Sequence, residues 1–149
     1  MVRELSPRLA AIVDALPLRP GLRVLEIGGA PGAAARAVAQ RLGPGGHILV
    51  IDRSATGVSQ IERLAAAEIQ RGVLSARCVS AEDFCLREGE AAFDLAFAVR
   101  VGALDGRHPE AGSIARQRIR AALVPGGPLF VDGGDPLRQV RLEAPDRAW

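Results

Sequence analysis

A chain of 149 residues with 48% hydrophobic content has room for one compact domain with its own core. All 19 basic residues are arginine, which excludes chemistry built on a lysine base, a Schiff base or a lysine phosphate clamp. A net charge of +2 and 3% aromatic residues leave little for a polyanion to condense or stack on, so nucleic acid is disfavoured as a partner. The opening residues lack the apolar run of a signal peptide, and no apolar stretch nears the ~20 residues of a membrane span. A cytoplasmic protein without a membrane partner is therefore expected, and a homodimer is compatible with the composition. Cys78 and Cys85 are expected as reduced thiols; two cysteines alone make no zinc site, so no metal is expected.

Ser6 as N-cap and Pro7 at the first helical position open a helix over 6–16, with Leu9, Ile12, Val13 and Leu16 on one face. Pro17 and Pro20-Gly21 end it. The apolar run Leu22-Arg23-Val24-Leu25-Glu26-Ile27 then meets Gly28-Gly29-Ala30-Pro31-Gly32 and the helix formers of 33–42, which is a strand, a tight turn and a helix N-terminus in succession. Glycines let a ligand approach the backbone there, and free helix amides face it. Glu26 adds a carboxylate suited to an ammonium or hydroxyl and repellent to a pyrophosphate. Glycines at 28, 29 and 32 also miss the G-x-G-x-x-G phasing of a dinucleotide site.

Gly43-Pro44-Gly45-Gly46 breaks the helix, and His47 to Asp52 reads as a strand buried on both faces. Asp52 follows Gly32 by 20 residues, the place where α/β nucleotide-binding folds put a carboxylate on the ribose hydroxyls; the alternative is a cap for the next helix. That helix is expected over 54–70, with Val58, Ile61, Leu64, Ala65 and Ile69 inward. A third strand over 73–79 alternates Ser75 and Arg77 with apolar neighbours, as near a sheet edge. Ser80-Ala81-Glu82-Asp83-Phe84 follows; as local chemistry, Ser80 is also able to cap a short helix there. The run 93–99 is a fourth strand, and Arg100, Val101, Gly102, Asp105 and His108 lie just past it, where the resemblance named below implies a substrate-facing position. His108 is a candidate general base, with a solvated histidine before Pro109 as the alternative, and Asp105 fits a turn in Asp-Gly. Arg100 suits an acidic substrate or a partner carboxylate.

A helix over 109–123 turns Ala115, Ile119, Ala122 and Leu123 inward and leaves Arg116, Arg118 and Arg120 on a solvated face. Pro125-Gly126-Gly127 leads into a fifth strand ending at Asp132, and 139–142 offers one short strand more. The alternation implies a single α/β domain over 1–149, a Rossmann-like three-layer sandwich with a mainly parallel sheet in the order 3-2-1-4-5 and helices on both faces.

Across 22–132 these motifs resemble the class I S-adenosylmethionine (SAM) methyltransferases. Glu26, Gly28 and Gly32 match the acidic residue and glycines of the first motif, with Ala30 in place of the central glycine. Ser80-Ala81-Glu82 is similar to the Asp-Ala-Glu segment that holds the adenine, Phe93-Asp94 to the fourth strand and Pro125-Gly126-Gly127 to the turn before the fifth. The resemblance implies SAM as cofactor, held by Glu26, Gly28, Gly29, Ala30, Gly32, Asp52, Arg53, Ser80, Ala81, Glu82 and Val99, with His108 and Arg100 as candidate catalytic residues. Asn-Pro-Pro-Tyr and the Lys-Asp-Lys-Glu tetrad are absent, although Ala30-Pro31-Gly32 is shared with the ribose 2′-O-methyltransferases. The family adds a further helix and two strands, whereas seventeen residues follow Asp132, so no substrate lid is expected. Two functions follow: methyl transfer to a small-molecule acceptor, or a SAM-binding module without activity that serves a partner.

Overall fold

Strands that are apolar on both sides need cover on both sides, and the segments between them supply it. The computed structural model describes residues 5–102, 104 and 108–142. Its elements are α1 (Pro7–Ala15), β1 (Arg23–Ile27), α2 (Ala33–Leu42), β2 (His47–Asp52), α3 (Ala55–Leu64), α4 (Ala66–Gln70), β3 (Leu74–Cys78), β4 (Leu95–Ala98), α5 (Pro109–Ala122), β5 (Leu129–Asp132) and β6 (Leu137–Val140). The sheet runs β3-β2-β1-β4-β5-β6. β1 to β5 pair in parallel, in the expected order, and β6 returns antiparallel beside β5, two residues ahead of the expected short strand.

Alternate residues of each strand feed two cores. On one face Val24, Ile48, Val50 and Phe97 pack against Val13 of α1, Val38 of α2 and Ile61 of α3. On the other, Leu25, Leu49, Ala96 and Leu129 pack against Ile119 of α5 and against Phe84 and Phe93. Ile27 is level with Ile51 of β2 and Ala98 of β4, so Gly28, Asp52 and Val99 emerge side by side at one edge of the sheet. That common edge positions the site.

The segment 54–70 differs from the single helix that the apolar pattern suggested. At Ala65 the backbone turns to φ −103° and ψ 22°, dividing α3 from α4. Leu64, expected inside, is 42% exposed, while Glu68 is buried and accepts Arg36 Nε at 3.0 Å. The ion pair draws α4 onto α2, and Leu64 is left on the outer side of the break. Among the described residues no helix is long and apolar enough to cross a membrane.

Candidate functional site

Two adjoining cavities open at the carboxyl edge of the parallel strands. The first, about 580 Å³, is lined by Gly28, Asp52, Arg53, Ser80, Ala81, Glu82, Arg100, Val101, Gly102 and His108, with Ile27, Ile51, Val79 and Ala111. The second, about 400 Å³, is lined by Glu26, Gly28, Gly29, Ala30, Val99 and Arg100, together with Ser6, Arg8 and Leu9 beside α1. Gly28 and Arg100 belong to both, which places them at the junction. Every residue read from the sequence as cofactor-binding or catalytic lines one of the two except Gly32. Gly32 instead opens α2 at φ 103°, a left-handed conformation that glycine adopts without strain, so its part is to shape the loop. Asp105 lies outside the described residues.

Glu26 sits on β1 with 3% of its surface exposed, and its Oε1 has no hydrogen-bond partner among the described residues. Burial first, and the charge of Asp52 second, push its carboxyl from 4.5 up to about 8. The charged carboxylate read from the sequence is thus corrected to a carboxyl mainly protonated at neutral pH, because low-polarity surroundings disfavour the ion. An atom on Gly29 at the Cβ position would stand 2.6 Å from both Glu26 Cδ and Val50 Cγ1, so only glycine leaves Glu26 its place.

Asp52 does not cap the next helix. Ser54 does, accepting the Gly57 amide at 3.0 Å, while Asp52 accepts the Ser54 amide at 2.9 Å and the Ala30 amide at 3.2 Å. Its carboxylate joins the glycine loop to the end of β2. Ser80 makes a turn rather than a helix: its Oγ accepts the Asp83 amide at 3.2 Å and donates to Asp83 Oδ2 at 3.1 Å. Behind that turn Arg77 stands over the Phe84 ring and pairs with Glu90 at 2.7 Å, and its hydrogen bond is the main cause that holds the Glu90 carboxyl below its usual range.

Arg100 has φ 58°, left-handed for a residue with a side chain, and its amide donates to Asp132 Oδ1 at 2.9 Å. Asp132 Oδ2 meets Arg8 at 2.6 Å, which fastens α1 over the second cavity. His108 is exposed at the start of α5, as expected of a solvated histidine before Pro109, and it also lines the first cavity.

No family model matches the sequence. Over 67 residues, 44% of this chain and 30% of the relative, it is 33% identical to a protein-L-isoaspartate O-methyltransferase of Methanothrix thermoacetophila. Over 37 residues, 25% of this chain and 18% of the relative, it is 54% identical to ribosomal RNA large subunit methyltransferase E of Sorangium cellulosum. The chain thus spans less than a third of the length of either relative. A solved SAM-dependent methyltransferase from Geobacter sulfurreducens, in complex with S-adenosyl-L-homocysteine, matches 85% of this chain and 47% of its own, with TM-score 0.65 and 20% identity. The chain has the fold of the class I SAM methyltransferases. Within that fold it also matches the (4+2)-cyclase SpnF, at TM-score 0.65 and 26% identity, over 83% of this chain and 42% of the other.

The sequence reading missed Arg8, which lines the second cavity, and its partner Asp132. They lie 124 positions apart, so no local spacing links them, and Asp132 read only as the end of a strand.

Proposed function

We propose that this domain binds SAM and transfers its methyl group to a small-molecule acceptor. The observation that carries the reading is Glu26 Oε1, a buried acceptor without a partner among the described residues, on a cavity that shares Gly28 and Arg100 with the one lined by Asp52 and Ala81-Glu82. A ligand with an amino group at one end and a ribosyl base at the other satisfies both ends. Glu26 and the loop of Gly28, Gly29 and Ala30 would hold the amino-acid part, Asp52 and Arg53 the ribose, and Ser80, Ala81 and Glu82 the base, with Val99 beside the junction. When bound, SAM supplies an electrophilic methyl carbon on a sulfonium. The chain then contributes alignment of the acceptor and exclusion of water. His108 takes a proton from an acceptor that carries one, and Arg100 orients it.

A SAM-binding module without activity is the second reading, supported by the exposure of His108, the candidate base. Incubation with methyl-labelled SAM and a panel of small hydroxyl, amine and carboxylate compounds separates the two. Release of S-adenosylhomocysteine above the acceptor-free control supports transfer. Tight SAM binding with no turnover across a wide panel supports the module.

A further inference from the structure

We infer that the guanidinium of Arg100 is the docking point for an oxyanion group, carboxylate or phosphate, carried by the methyl acceptor; this rests on the SAM reading above. Arg100 follows β4 and lines both cavities, so it stands at their junction rather than at the far end of either. Its main chain is fixed by Asp132 Oδ1, at 2.9 Å from the Arg100 amide. Its side chain is exposed and forms no ion pair among the described residues.

Among the described residues no neighbouring carboxylate pairs with it. Asp132 Oδ2 is taken by Arg8, and both oxygens of Asp52 accept main-chain amides. Glu26 is buried on β1. Glu82 lines the first cavity with Arg100, and no ion pair joins the two. His108, in the same cavity as Arg100, adds an imidazole and no negative charge. An anionic acceptor therefore finds an unshared planar fork that fits a carboxylate or phosphate bidentately, and a cationic acceptor is repelled.

The oxyanion has two sources, the acceptor or the carboxylate of SAM itself, and the test separates them. Calorimetry measures S-adenosylhomocysteine and 5′-methylthioadenosine, which lacks the amino-acid part, on wild type, Arg100→Gln and Arg100→Lys. Succinate, inorganic phosphate and neutral succinamide are then titrated into each protein saturated with S-adenosylhomocysteine. The expected result is saturable succinate or phosphate binding in wild type, at least ~10-fold weaker in Arg100→Gln, partly kept in Arg100→Lys and absent for succinamide, with nucleoside affinities changed less than about threefold. The inference is overturned if no oxyanion binds saturably, if binding ignores Arg100→Gln, or if Arg100→Gln weakens S-adenosylhomocysteine and not methylthioadenosine, which assigns Arg100 to the cofactor. Failure of S-adenosylhomocysteine to bind wild type strikes the SAM reading instead, and the oxyanion titrations on free protein still report on Arg100.

Discussion

The Ala30 amide donates to Asp52 Oδ2 at 3.2 Å, which fastens the loop after β1 to the end of β2. The other oxygen accepts the Ser54 amide, so the start of α3 hangs on the same carboxylate. Asp52→Ala is expected to weaken S-adenosylhomocysteine at least ~10-fold, since each hydrogen bond to a charged acceptor contributes about 1.5–3 kcal/mol. It is also expected to lower stability by about 1–2 kcal/mol, because two amides lose their acceptor. Calorimetry and urea unfolding read the two effects. Lower stability with unchanged affinity would make Asp52 a fastener only.

Glu26 sets a pH dependence with a definite sign. Its folded carboxyl titrates near 8 and its unfolded one near 4.5, so between these values the folded protein holds the extra proton. The contribution of Glu26 to stability is full below about pH 4.5 and falls as pH rises toward 8, by on the order of 3 kcal/mol at pH 7. Glu26→Gln should flatten that slope in unfolding curves across the window. A cationic amino group docked on Glu26 favours the carboxylate, so S-adenosylhomocysteine should displace about one proton at pH 7. Calorimetry in two buffers of different ionisation enthalpy detects it, and zero release would place the amino group elsewhere.

Gly29→Ala brings a methyl group within 2.6 Å of Glu26 Cδ and Val50 Cγ1. A stability loss of about 1–3 kcal/mol is expected from overpacking, with weaker S-adenosylhomocysteine binding as Glu26 shifts. Gly45→Ala is the control, since nothing lies within 4 Å of its Cβ position. Equal melting temperatures for the two variants would contradict the close packing around Glu26.

Arg36 and Glu68 pair at 3.0 Å, with side chains 36% and 5% exposed. Arg36→Met strands a buried carboxylate, and the expected loss is about 1–3 kcal/mol, below that of a fully buried pair because Arg36 reaches solvent. Adding Glu68→Leu should recover most of it. Urea denaturation of both variants decides, and a double variant no more stable than the single one would show that the pair is not what holds α4 to α2.

Much of this was legible in the sequence because it is written in short-range pattern. Apolar runs gave β1, β2 and β4, the glycine loop gave the turn before α2, and Asp52 followed at one helix plus one strand. The missed features depend on partners distant in the chain. Nothing in Ala65-Ala66-Ala67 signals a break, since alanine favours helix, and the buried Glu68 that draws α4 inward is explained only by Arg36 on another helix. The protonation of Glu26 likewise follows from burial under α1 and α2 and from Asp52, and a strand's own residues do not report it.

The central claim is that these cavities hold SAM and not a phosphate chain. Calorimetric titration of S-adenosylhomocysteine, NAD and ATP into the same protein tests it most directly. S-adenosylhomocysteine is expected to bind tightest, because the glycine phasing and the Glu26 carboxyl offer no cradle for phosphates. NAD or ATP binding tighter than S-adenosylhomocysteine would contradict the account.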